Sequence, residues 1–177
     1  MRKLTLLRPF KCDILVFDTI GRNWVHHCLP KNSNVAYLDI RDQIPVFLSL
    51  SFFYHLVRKL CTQKNALPGY RSLLWLHCLF DLIRPKIIFT CADNNTLVSR
   101  YAAENPSTKV IFLQNALRDT VGSISRDIHL PTYLAMGTIE AKLFHSLSLP
   151  CQHYHAVGSV KLGLALSKIK ENKREQF

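Results

Sequence analysis

Two stretches of this chain place chemistry-bearing residues directly after short apolar runs. Between Lys109 and Arg118, the apolar residues Val110 to Leu113 give way abruptly to Gln114, Asn115 and Arg118. After Lys86, Ile87, Ile88 and Phe89 run into Thr90, Asp93, Asn94 and Asn95. Continuous apolar runs of this kind form strands buried on both faces, and open α/β sheets bind ligands at the carboxyl ends of such strands. The side chains offered there suit a hydroxyl-rich or anionic ligand. Asp93 and Asn94 can bond hydroxyls, and Asp93 can act as a base, although one residue of 93–95 is also needed to cap the helix that follows. Gln114 and Asn115 are costly to bury without partners, which points to a polar ligand. Arg118 supplies a planar fork for a phosphate or carboxylate. The turn Gly158-Ser159-Val160-Lys161 is a further candidate, in which backbone N–H groups and Lys161 hold an anion; otherwise it is a loop glycine followed by a cap.

Strands and helices must alternate to bring these ends together. Apolar runs predict strands at 14–17, 35–38, 86–90, 110–113, 133–136 and 153–157. Between them the spacing predicts helices over 46–63, with Pro45 at or just before its first turn, and over 70–83, 97–104 and 140–147. Apolar residues nearly encircle the helix at 46–63, so a neighbour is expected to cover part of it. Strands separated by helices form parallel sheets with right-handed crossovers. The expected fold is a Rossmann-like three-layer α/β domain with a mainly parallel sheet over 12–166. It is preceded by a basic segment, 1–11, and followed by a charged tail, 167–177, read as a frayed helix or tail.

Composition narrows the classes of function. The chain has 177 residues, 48% of them apolar, with 23 Lys and Arg against 12 Asp and Glu, a net charge of +11. Such a balance favours anionic partners such as nucleotide-linked donors or phosphorylated polymers. The basic and aromatic residues of 52–59 lie on a strongly apolar helix, so packing explains them and no nucleic-acid partner is expected. A dinucleotide glycine fingerprint, a Walker A loop and a G-x-S-x-G elbow are all missing. No cofactor is therefore expected. Cysteines at 12, 28, 61, 78, 91 and 151 lack metal-ligand spacing, and His153 and His155 have no acidic or Cys partner at ligand spacing, so no metal is expected either. Reduced thiols and the lack of a leader or spanning segment point to a cytoplasmic protein.

The order of these motifs resembles one family. A Pro-Lys-apolar strand ending in Asp-Asn precedes a strand ending in Gln-Asn, then one ending near Met-Gly, then Val-Gly-Ser-x-Lys. Over about residues 12–162 this is similar to the N-terminal half of bacterial surface-carbohydrate biosynthesis proteins of GT-B glycosyltransferase type. These are related in pattern to the polymerases that transfer glycerol phosphate in teichoic acid synthesis. In that family Gln-Asn or Gln-His is usually followed by Gly, where this chain has Ala116. The resemblance implies an acceptor-side domain in which Asp93, Asn94, Gln114, Asn115 and Arg118 line the cleft. It also implies a nucleotide-sugar or phosphorylated glycan as substrate and a second Rossmann-like domain or chain that holds the donor, without which transfer does not occur. It leaves the catalytic residues unassigned. Two other readings stay open: a non-catalytic subunit that docks a partner or the inner membrane face, and half of a sugar-nucleotide epimerase.

Overall fold

The computed structural model describes residues 3–18, 22–40, 43–62, 70–116, 128–148 and 151–174. Its strands are β1 (Lys3–Leu7), β2 (Ile14–Phe17), β3 (Val35–Leu38), β4 (Gln43–Phe47), β5 (Ile87–Thr90), β6 (Lys109–Leu113), β7 (Leu130–Ala135) and β8 (Cys151–Ala156). Its helices are α1 (Arg22–Val25), α2 (Leu50–Thr62), α3 (Tyr70–Ile83), α4 (Thr96–Glu104), α5 (Thr138–Ser146) and α6 (Val160–Arg174), with a 3-10 turn at His26–Cys28.

Six strands form one sheet in the order β3-β2-β5-β6-β7-β8, and every neighbouring pair is parallel. Side chains alternate across a strand, so β2 divides its four buried residues between two cores. Leu15 and Phe17 join a large core with Phe52 of α2, Phe80 of α3, Val98 of α4 and Phe144 of α5. Ile14 and Val16 face a smaller core closed by Val25 of α1 and Val160 of α6. Phe80 ties the large core together, meeting Phe17 and Tyr101 edge-on at 5.4 and 4.7 Å. This is the expected three-layer α/β architecture with a parallel sheet.

Strand order fixes where a crevice opens. From β2 the chain steps to β3 on one side and then crosses to β5 on the other, so the order reverses between β2 and β5. Connections leaving the two strands in opposite directions separate there and leave a gap at the carboxyl ends.

The structure adds to or departs from the sequence expectation at two places. Pro45 lies in strand β4, not in a first helical turn, and the helix begins at Leu50. β4 pairs in parallel with β1 alone, in a separate two-stranded sheet where Pro45 sits opposite Thr5. A strand with one free edge tolerates a residue lacking its N–H. β1 itself falls within 1–11, which therefore contains a paired strand. Of the two forms expected for the charged C-terminal residues, frayed helix or tail, the structure shows the helix, with α6 running to Arg174.

Candidate functional site

The carboxyl edge of the sheet is built from strand ends that are fastened to one another. Asp18 follows β2 with a φ of 75°, a left-handed conformation uncommon for a residue with a side chain, and is buried. Its N–H donates to Leu38 O at 3.0 Å, which holds the end of β2 against β3. After β5, Thr90 Oγ1 accepts from Ala92 N–H at 3.1 Å and turns the chain toward α4.

The three residues 93–95 divide the work. Asn95 caps α4, its Oδ1 accepting from Leu97 and Val98 N–H at 3.0 and 3.3 Å. That leaves Asp93 and Asn94 for other roles. Asp93 is buried and accepts from the Tyr133 hydroxyl at 2.9 Å. Asn94 is exposed at the edge.

Gln114 and Asn115 do a different job from the one their position suggests. Gln114 is buried, and its Oε1 accepts from Met136 N–H at 2.8 Å. Its Nε2 donates to Ala116 O at 3.0 Å and to Glu140 Oε1 at 3.2 Å. Asn115 Nδ2 donates to Cys91 O at 2.8 Å. The two amides thus clamp the end of β6 to β7 and α5 on one side and to β5 on the other. The cost of burying them is met inside the protein, and they shape the edge by holding backbone.

Glu140 completes the clamp from the first turn of α5, where an anionic side chain is favoured by the helix dipole. A Cβ on the helix cap, Gly137, would lie 3.2 Å from Glu140 Oε2. The absence of a side chain there gives the carboxylate its space. Tyr154 of β8 donates its hydroxyl to Gly137 O, which fastens the next strand to the same corner.

The Gly158–Lys161 turn is a cap. Gly158 has a φ of 78°, which glycine adopts freely. Ser159 Oγ accepts from Leu162 N–H at 3.3 Å at the start of α6. Lys161 is exposed on that first turn. The turn follows β8 at the sheet's edge, but Val160 within it packs on the small core that holds Val16 and Cys91. Arg118 lies outside the described residues.

Among the described residues, two acids stand at the ends of β2 and β5, Asp18 and Asp93. The Cys91 thiol is pushed up to about 12, first by burial and then by the nearby carboxylates of Asp18 and Asp93. Asp18 follows β2 and Asp93 follows β5, and both are buried. A thiol raised as far as that of Cys91 is no nucleophile near neutral pH. The exposed Asn94 amide can donate to and accept from hydroxyl groups, while the buried Asp93 already accepts from Tyr133. Among the described residues no cluster of three His, Cys, Asp or Glu is placed to hold a metal ion.

Asp18 carried a sequence signal, an acid directly after an apolar strand. Tyr133 and Glu140 carried none, because each acts on a partner 26 or more residues away.

Fold and edge together define a Rossmann-like three-layer α/β domain whose gap lies between β2 and β5. No family model, curated protein or solved structure matches the chain.

Proposed function

We propose that this chain is an acceptor-side domain of a glycosyltransferase-like protein of surface-polysaccharide biosynthesis, binding a nucleotide-sugar or phosphorylated glycan at the β2–β5 gap. One observation carries the reading: Asp18 and Asp93 follow β2 and β5, the two strands between which the order reverses, with Asn94 exposed next to Asp93. An ionised carboxylate accepts hydrogen bonds and a carboxamide both donates and accepts them, which suits sugar hydroxyls. The +11 charge of the chain favours a phosphorylated ligand at longer range.

In this reading Asp93 and Asn94 contact the acceptor, whereas Gln114 and Asn115 hold the edge in shape. Donor binding belongs to a second Rossmann-like domain or chain, as the resemblance implies, and transfer requires both halves. The six free thiols fit a reducing cytoplasmic setting. The test is a titration of the chain with nucleotide-sugars and with phosphorylated oligosaccharides, followed by amide chemical shifts. Saturable shifts at Asp18, Cys91 and Asn94 support the reading. Shifts confined to other strands would sink it.

A further inference from the structure

The strongest anomaly on the surface is apolar and lies away from the gap. Helix α2 buries Phe52 but turns Phe53, Tyr54, Val57 and Leu60 to solvent; Leu50 is 91% exposed, Val57 57% and Phe53 47%. Their spacing of three and four residues makes one stripe along the helix. The chain leading into α2 continues the pattern. In the β1–β4 pair, Leu4 stands opposite Ile44, and Leu6, two residues on, shares the same outer face. All three are exposed, as is the connecting Leu48. A surface this apolar marks a docking site.

We propose that α2, with the outer face of the β1–β4 pair, docks onto an anionic lipid surface. Charge identifies the occupant. Neither α2, β1 nor β4 contains an Asp or Glu. Lys3, Arg8 and Arg58 are exposed in or next to these elements. Lys59 is held by Asp81 of α3 at 2.7 Å, so that neighbouring carboxylate is already matched by a cation. A second copy would bring like charges face to face across the contact, on a chain that already carries +11. An anionic headgroup layer attracts Lys3 and Arg8 while the acyl boundary takes Leu50, Phe53 and Val57; Tyr54 suits the interface itself, with an apolar ring and a polar tip. Among the described residues no helix is long and apolar enough to cross a membrane. This inference is independent of the ligand proposed for the gap.

The test is flotation of the full chain with vesicles of phosphatidylglycerol in phosphatidylethanolamine, compared with phosphatidylcholine alone. The expected result is recovery with the anionic vesicles, weaker in high salt, and at least about tenfold lower with the neutral ones. Phe53→Ser combined with Val57→Ser should lower recovery by a similar factor while leaving the circular dichroism melt unchanged. Should that pair fail to fold, Leu50→Gln at the exposed start of the helix gives the same readout. No recovery with anionic vesicles, or full recovery of the folded variants, overturns the proposal. So does a lipid-free dimer of the full chain that the same substitutions dissolve, because a second copy would then cover this face.

Discussion

The hydroxyl of Tyr133 in β7 donates to Asp93 Oδ2 at 2.9 Å, reaching past the intervening strand β6 to a carboxylate at the end of β5. Both residues are buried. A side chain from the large core thereby fixes an acid at the edge that the proposed ligand meets. Tyr133→Phe keeps the ring and its packing on Phe144 but removes the donor. The expected loss of stability is about 1–3 kcal/mol, from a buried acceptor deprived of a partner. Urea denaturation measures it, and an unchanged midpoint would show that water replaces the hydroxyl.

Gln114→Ala should cost more. It removes the acceptor for Met136 N–H and a donor to the buried Glu140 together, so a loss of roughly 2–4 kcal/mol is expected. Asn94→Ala touches an exposed side chain and should leave the melting temperature unchanged. Thermal melts of the two variants side by side separate residues that build the edge from residues that face outward.

That contrast marks how far the sequence was legible. Val110 to Leu113 and Ile87 to Phe89 announce buried strands because a run apolar on both faces has few other places in a fold. The same logic put polar residues at the carboxyl edge. Whether an amide there meets a ligand or a backbone group depends on Met136 and Glu140, which lie 22 and 26 residues beyond Gln114. No local pattern reports such partners. Pro45 misled for a related reason: Ile44 to Phe47 suits a strand or the start of a helix, and only pairing with β1 decides between them.

The cysteines should fall into distinct groups. Cys28 and Cys61 are exposed, whereas Cys12, Cys78 and Cys91 are buried. Burial pushes the Cys12 thiol up to about 11 and that of Cys91 up to about 12. Native protein treated with Ellman's reagent near pH 8 should therefore release a fast phase from Cys28 and Cys61 only, with the buried three appearing on denaturation. Fast labelling of Cys91, read by mass spectrometry, would show that the gap is open to reagent and the thiol activated.

Acid should loosen the packing of α3 on α4 before the carboxylates titrate. Burial lowers the pKa of His77 from its ordinary 6.5, and Lys59 adds to the effect, against smaller opposing contributions from Glu104 and Asp81. Nε2 lies 3.0 Å from Glu104 Oε2, close enough for attraction but without the alignment of a hydrogen bond. Because the folded value is the lower one, the unfolded chain binds more protons below 6.5. Stability from this group is thus complete above 6.5 and is lost as the pH falls through the depressed folded value. Melting temperature followed by differential scanning fluorimetry should decline over that interval, and His77→Gln should flatten the decline.

Ligand binding at the β2–β5 gap is the central claim, and isothermal titration of the wild-type chain and Asn94→Ala with a phosphorylated oligosaccharide tests it most directly. The account predicts saturable binding by the wild type and a loss of about five- to tenfold in affinity for Asn94→Ala, the scale of one hydrogen bond, with the fold intact. Equal affinity for the two proteins, or no heat of binding into the millimolar range, would contradict it.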